Sequence, residues 1–481
     1  MAKPAARPSY EELSRAVETL RAENAELRAQ VARLLAELAK ARDELARARK
    51  NSGNSSKPPS SDIVKPKPSS SPANKGKRKR GAQPGHPKHE RPAFDESQVD
   101  VFWDYTWPAC PDCGGAVEPT GELPRVIQQV ELIQAPLQIS EHRSQACWCA
   151  NCGKTHYAAM DDDVRRAGLV GPRLTALVAY LKGACHCSFS TIRKFLRDVA
   201  GVSISRGQLR KVCGKVSDSL EQSYTELLEL LPRQEQLNVD ETGHKNYKQQ
   251  MWTWCFRASL FTLFKIDPSR GSQVLLEVLG EEFDGVLGCD YYSAYHKYMR
   301  LNENVLLQFC LAHLIRDIKF LTTHPDPRNR AYGRRVLQAV RGVFELFHRR
   351  ERMSASKFEL ECEDAVNELL GAARFQVPQT SEAQNLSDRF WKHGESYVRF
   401  LTTPGIEPTN NLAEQAIRFV VIDRHVTQGS RSEAGQRWLE RIWTAIATCT
   451  QQGRSVFEFL HESILAHFQH QPAPSLLPNT S

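Results

Sequence analysis

The sequence predicts a multidomain chain of mixed α+β and α/β class, and three observations carry that reading. At 481 residues the chain exceeds the size at which a single core keeps growing, so at least two folded units are expected. Its first part carries leucines at heptad spacing, followed by paired cysteines. Beyond residue 236, apolar β-branched runs in series give way to strands alternating with helices, the order of a mixed sheet covered by helices.

A hydrophobic fraction of 41% is enough to build such cores. The start of the chain has no apolar signal region, and no apolar run approaches the length of a membrane span. A soluble, cytoplasmic protein without a membrane partner is expected. Thirteen cysteines, an odd number without export signals, argue for reduced thiols or metal ligands over a disulfide framework. The net charge is +8, and residues 57–91 hold ten Lys or Arg against two acids, Asp62 and Glu90, so the excess sits in that one segment.

Residues 10–50 place Leu13, Leu20, Leu27, Leu34 and Ala41 at one heptad core position and Val17, Asn24, Val31, Leu38 and Leu45 at the other. Leucine at d, with β-branched residues and a single Asn at a, favours a parallel two-stranded coiled coil. Glu23 and Glu37 would then meet Arg28 and Arg42 of a partner helix. A homodimer or higher homo-oligomer is expected; the alternative is a long helix folded back on its own chain. Residues 51–100, rich in Ser, Pro, Lys and Gly, read as a disordered basic linker. The run Lys77, Arg78, Lys79 and Arg80 neutralises phosphates without reading bases, so the linker doubles as an electrostatic arm on DNA.

Residues 101–160 contain Cys110-x-x-Cys113 and Cys149-x-x-Cys152, each pair followed by glycine. Two such knuckles complete a tetrahedral Zn²⁺ site, and a zinc ribbon is expected with strands in residues 126–139. Cys147 is a spare thiol or a substitute ligand. Isolated buried thiols or a redox pair are the alternatives.

Residues 165–225 read as three short helices. Ser190 and Ser205 are expected to cap the second and third, with Leu209 and Val212 inward and Arg206, Gln208, Arg210 and Lys211 outward. That is the layout of a helix-turn-helix whose last helix enters the major groove, although a small helical connector shows similar stripes. Cys185, His186 and Cys187 are expected to pack rather than ligate.

Residues 230–430 form the sheet-bearing core. Strands are expected at 236–242, 252–258, 260–266, 285–289 and 305–309, with helices at 272–279 and opening near Ala312. Asp240 and Asp290 stand at expected strand ends, where side chains project towards a substrate; an Asp there also serves as a turn former. A helical insertion at about 325–400 and a C-terminal helical region at 431–470 complete the chain.

Between them, Thr409 or Asn410 is expected to cap a helix that starts near Asn411 and turns Leu412, Ala416 and Phe419 or Val420 inward. Glu414 lies off that stripe, one turn before Arg418, as half of a surface ion pair or as a ligand if other carboxylates converge on it. Asp240, Asp290 and Glu414 together suit hard cations such as Mg²⁺ or Mn²⁺. Two such ions stabilise the attacking and leaving oxygens of an in-line phosphoryl displacement.

The blocks NVDETG around Asp240, CDYYSAY around Asp290, CLAHLIRD at 310–317 and TNNLAEQAIR around Glu414 resemble the catalytic blocks of insertion sequence 66-type bacterial transposases. The NSSKPPSSD and RGAQPGH stretches, the paired CxxC knuckles and the zipper-like start resemble that family's N-terminal half. The resemblance implies a ribonuclease H-like core with a D-D-E triad, carried over as Asp240, Asp290 and Glu414. Glu241 is then a neighbour rather than a ligand.

Cys310 and His313 match a Cys-x-x-His element expected to shape the site, or they are a buried structural pair. Arg418 is expected to orient the carboxylate or meet a DNA phosphate. Where the family pattern has Arg-Lys after the glutamate, this chain has Arg424-His425, so Arg424 is the base retained for phosphate contact. The activity implied is binding of an element's terminal repeats, metal-dependent cleavage and strand transfer into target double-stranded DNA. Such a protein works at the bacterial nucleoid, with small helper proteins of the element. The alternatives are a catalytically silent DNA-binding regulator and a nuclease without strand transfer.

Overall fold

The structure, a computed structural model of the chain, describes residues 9–50, 94–103, 108–109, 111–116, 126–128, 137–149, 151–152 and 154–478, with backbone alone at 147, 149, 154 and 156. The basic run Lys77, Arg78, Lys79 and Arg80 and the first zinc-knuckle residue Cys110 lie outside the described residues, as does the Cys149 side chain.

Helix α1 (Tyr10–Ala48) starts on a capping box in which Ser9 accepts from the Glu12 amide and Glu12 accepts from the Ser9 amide. Its apolar stripe faces solvent, with Leu20, Leu27 and Leu34 each 60% exposed or more. Among the described residues only its C-terminal end docks on the chain, from Asp43, whose Oδ1 lies 3.5 Å from His324 Nε2, to Lys50. Arg47 pairs with Glu382 at 3.0 Å, and the Lys50 ammonium sits 4.4 Å above the Phe320 ring. The contact seen is a fold-back of the helix end onto its own chain, and it leaves the heptad stripe uncovered among the described residues.

Strands β1 (Ala146–Cys149) and β2 (Lys154–Tyr157) form an antiparallel hairpin around the second cysteine pair. This differs from the expected strands at 126–139, whose described parts, 126–128 and 137–139, are not strand. The hairpin forms where the knuckle itself makes the turn.

Helices α2 (Asp162–Ala167), α3 (Pro172–Gly183), α4 (Phe189–Ala200), α5 (Arg206–Ser219) and α6 (Glu221–Leu230) follow. The cap of α4 is Ser188, which accepts from the Thr191 amide, not Ser190. The helix starts two residues earlier than its polar pattern suggests, so Ser190 falls inside its first turn. On α5, Ser205 caps as expected, Leu209 and Val212 are buried, Arg206, Arg210 and Lys211 are exposed and Gln208 is half-buried.

The main sheet has the order β5-β4-β3-β6-β7. Strands β3 (Gln236–Asn246), β4 (Gln249–Arg257) and β5 (Thr262–Asp267) form an antiparallel meander. Helix α7 (Ser272–Leu279) then leads to β6 (Val286–Cys289), and α8 (Ser293–Leu301) to β7 (Leu306–Phe309), both parallel to β3. Asp240 is not at a strand end. β3 continues to Asn246 because its hairpin with β4 persists after pairing with β6 stops at Asn238.

The insertion is helical throughout: α9 (Leu311–Thr322), α10 (Pro327–Arg349), α11 (Ala355–Arg374), α12 (Ser381–His393) and α13 (Arg399–Thr402). The chain returns as α14 (Asn411–Thr427), then α15 (Glu433–Gln451) and α16 (Val456–Phe468). Helix α15 shows how polar residues build this core. Its Glu440, Thr444 and Thr448, one turn apart, accept the outward amides of Ile266, Phe264 and Thr262 at 2.7, 3.0 and 3.1 Å. A helix side-chain ladder thus satisfies the edge strand, which would otherwise offer its amides to another chain. Among the described residues no helix is long and apolar enough to cross a membrane.

Candidate active site

Sheet register assembles the site. The β3–β6 pairs Leu237–Leu287 and Asn238–Gly288 share one offset, as do the β6–β7 pairs Gly288–Gln308 and Cys289–Phe309. Carried past the last pairs, those offsets bring Asp240, Asp290 and Cys310 level across three parallel strands, just past the C-terminal ends of β6 and β7 and where β3 runs on beyond them. Side chains there project beyond the sheet, the usual place for a ligand in such topologies.

Helix α14 brings Glu414 to the same place by a device the sequence reading missed. The Asn410 side chain does not cap the helix. Instead its Nδ2 donates to the Val239 carbonyl at 2.8 Å, its Oδ1 accepts from Asn238 Nδ2 at 3.0 Å, and its amide donates to Cys310 Sγ at 3.2 Å. The Leu311 amide adds a bond to the Pro408 carbonyl at 2.9 Å. Glu414 lies one turn on and therefore on the same side of α14, above the face that carries Asn238 and Asp240.

Gly288 makes room for this staple. A Cβ there would come within 2.5 Å of Asn238 Nδ2. Asn410→Ala leaves a buried carbonyl and Asn238 without partners and is expected to cost about 1–3 kcal/mol, measured by urea unfolding. Any activity should fall further than stability alone explains, because the start of α14 is released; wild-type activity in a folded variant would refute the staple's role.

The buried face of α14 is Ala413, Ile417, Val420 and Asp423; of the residues expected inward, Val420 is buried, Ala416 and Phe419 are half-buried against the core and Leu412 is 38% exposed, so the helix is turned by about one residue. Glu414 pairs across to α9 and not with Arg418. Its Oε1 lies 3.5 Å from His313 Nδ1 and its Oε2 lies 3.8 Å from Arg316 Nη2, while Arg418 is exposed. Arg424 is half-buried and donates to Thr242 Oγ1 at 3.2 Å.

The electrostatics mark Asp240 and Asp290 as one site. Burial, then the charges of Glu241 and Asp290, hold the Asp240 carboxyl well above the usual carboxylate range, and Glu414 acts in the same direction. Burial, then Glu241, pushes Asp290 up to about 7. Glu241 itself faces the other side of β3. It accepts two bonds from Arg270, at 2.9 and 2.8 Å, and one from the Tyr295 hydroxyl at 2.6 Å.

Cys310, His313 and Glu414 offer donor atoms within 4.8 Å of one another, whereas the oxygens of Asp240, Asp290 and Glu414 are not drawn that close. Like charges repel, and α9 supplies Glu414 with one cationic partner, Arg316, beside His313. Burial raises the Cys310 thiol above its ordinary value, and its sulfur already accepts the Asn410 amide. Burial, then Arg316, lowers His313. This pair thus stays neutral beside the carboxylates. Arg316 was legible in principle, one turn after His313 in the CLAHLIRD block; Asn238 carried no signal.

Residues 167–437 match the sequence profile of the Transposase IS66 family. The chain belongs to that family. Outside that match, residues 5–92 match a family of unknown function (DUF6444). Two proteins of Sinorhizobium fredii (strain NBRC 101917 / NGR234), both described as uncharacterized, are similar to this family member. One, y4qI, is 25% identical over 342 residues, covering 64% of this chain and 62% of its own length. The other, y4hP, is 22% identical over 375 residues, covering 71% and 67%. The chain thus spans less than two thirds of y4qI.

Proposed function

We propose that this transposase-family chain cuts and joins DNA at the ends of an insertion element, with Asp240, Asp290 and Glu414 as its catalytic carboxylates in a D-D-E, ribonuclease H-like core. The observation that carries this reading is the assembly of three carboxylates, from two parallel strands and a stapled helix, at one sheet edge. Burial, then the Glu241 charge, raises Asp240 and Asp290, with Glu414 adding to both, and the buried Glu414 Oε1 has no hydrogen-bond partner. An all-oxygen set with that unrelieved charge fits Mg²⁺ or Mn²⁺. Bound there, such an ion supplies charge neutralisation at the attacked phosphodiester.

Cleavage is attack of water on phosphorus with departure of the 3′ oxygen. Joining is attack of that 3′ hydroxyl on a target phosphodiester, one P–O bond forming as another breaks. Cys310 and His313 support Glu414 in its place, while Arg418 and Arg424 stand on the same helix as candidate phosphate contacts.

The N-terminal half supplies DNA and partner binding in this reading. Cys110, Cys113, Cys149 and Cys152 would hold Zn²⁺; Arg206, Gln208, Arg210 and Lys211 would enter the major groove; the Lys77–Arg80 run would add sequence-independent affinity. The α1 stripe would pair two copies across two element ends. Leu20→Glu with Leu27→Glu is expected to convert the dimer to monomer in light scattering; an unchanged mass would assign the pairing elsewhere.

The central test is incubation of the full chain with duplexes carrying the element's own ends. Mg²⁺-dependent nicking and joined products are expected, both lost with EDTA. Nicking without joining would favour a nuclease, and binding without either would favour a silent regulator.

A further inference from the structure

Beside Asp290, towards the insertion, lies a cavity of about 400 Å³ including its open mouth. Its walls come from four places in the chain: Tyr291 after β6, Phe309 ending β7, Leu314 and Asp317 on α9, and Arg389 with Tyr397 from the end of the insertion.

Three properties of these walls constrain the ligand. The cavity is aromatic. Tyr291 packs on Phe309 with ring centroids 5.0 Å apart, and Phe309 on Tyr397 at 5.3 Å. Tyr291 is half-buried, whereas Phe309 and Tyr397 are at most 1% exposed. Second, the buried Tyr397 hydroxyl makes no hydrogen bond of good geometry and is met only by the neighbouring Arg389 guanidinium, so its hydrogen-bonding capacity is not filled. Third, the Arg389 guanidinium lies 4.6 Å from the Tyr291 ring centroid, held by a 2.8 Å bond from its Nη1 to Asp317 Oδ2. A planar cation over an aromatic face prolongs a stacking surface.

A purely apolar ligand would leave the hydrogen-bonding capacity of the Tyr397 hydroxyl unfilled. A free anion would meet Asp290 and Asp317. A flat heteroaromatic ring with polar edges satisfies all three walls.

We infer that this cavity receives one nucleobase of the strand whose phosphate lies at Asp240, Asp290 and Glu414. The base would be turned out of the duplex, stacked on Tyr291 and met at its edge by the Tyr397 hydroxyl. The inference rests on the DNA-processing reading above and adds how the strand is held. Enzymes that extrude a nucleotide offset the lost stacking with aromatic contacts of this kind. The extruded base would also fix which phosphate stands at the carboxylates.

The test uses the full chain bound to end duplexes in which 5-iodouracil replaces one nucleotide at a time near the cut. After irradiation, one position is expected to crosslink to Tyr291 or Tyr397, mapped by mass spectrometry; a bound complex with no crosslink to this cavity overturns the proposal. In a second arm, Tyr291→Ala is expected to slow cleavage of the paired duplex roughly 10- to 100-fold. Tyr291→Phe should retain most of the rate. On a duplex with an abasic nucleotide at the crosslinking position, Tyr291→Ala and wild type should cleave alike. A variant equally slow on the abasic duplex overturns the pocket and indicates damage to the fold. Failure of the wild type to cleave would sink the enzymatic reading instead, and crosslinking, which needs only binding, still decides the pocket.

Discussion

On the proposed D-D-E reading, Asp290→Asn is expected to lower Mg²⁺-dependent DNA cleavage by roughly 10³-fold or more, since it removes one of the carboxylates proposed to act at the phosphodiester. The metal-free variant should nevertheless be at least as heat-stable as the wild type at pH 8. The stability outcome follows from the titration of Asp290. Burial and the Glu241 charge lift Asp290 to about 7, so the folded protein holds a proton there that the unfolded chain has already released. A carboxyl raised in this way helps the fold while protonated, and that help is lost as pH rises from the ordinary carboxylate value, near 3.8, through about 7.

Thermal melts in EDTA across pH 5 to 8 should therefore show the wild type losing stability over a window in which Asp290→Asn loses less. Asp240→Asn is expected to behave in the same direction, because its carboxyl is also raised. Retained cleavage in either variant would remove that residue from the site. Identical pH slopes would refute the electrostatic account while leaving the chemistry open.

The second large effect is on the fold. Arg270→Met is expected to cost about 3–5 kcal/mol, because it strands a buried carboxylate. Glu241, with its side chain 1% exposed, relies on the Arg270 fork and the Tyr295 hydroxyl. The guanidinium in turn stacks on Trp252 at 4.6 Å and Tyr292 at 4.0 Å, so its removal loses packing as well as charge. Adding Glu241→Gln to Arg270→Met should recover much of the loss, since a neutral amide carries a smaller desolvation cost. Urea unfolding would measure both; a single-mutant cost under about 1 kcal/mol would show that Glu241 has found water or another partner. The pair also matters to the candidate site, because Glu241 is the largest single charge acting on Asp240 and Asp290.

Local rules account for much of what was readable in advance. The meander after residue 249, helix α7 at its full extent, and strands β6 and β7 follow from period-two and period-3.6 patterning with glycine and serine boundaries. Errors fell where tertiary contacts outvote local chemistry. Asn410 has the composition of a cap, yet a buried carbonyl and a neighbouring strand amide claim its side chain. The α14 stripe shifted by one residue because the sheet, and not the helix's own hydrophobicity, decides which side is covered. Glu440, Thr444 and Thr448 read as ordinary polar positions, since nothing local announces an edge strand waiting for acceptors.

By itself, the sequence determined the element order, the heptad stripe, the cysteine pairs and the identity of the three carboxylates as residues of interest, because these depend on residue type and spacing along the chain. Tertiary structure alone decided that Asp240, Asp290 and Cys310 stand level, that Glu414 turns to His313 and Arg316, and that Glu241 is committed to Arg270. Those outcomes depend on strand register and on the seating of one helix. Register is set by strand pairs 50 and 20 positions apart, and the helix is seated by buried hydrogen bonds between residues more than a hundred positions apart, as between Asn410 and Val239.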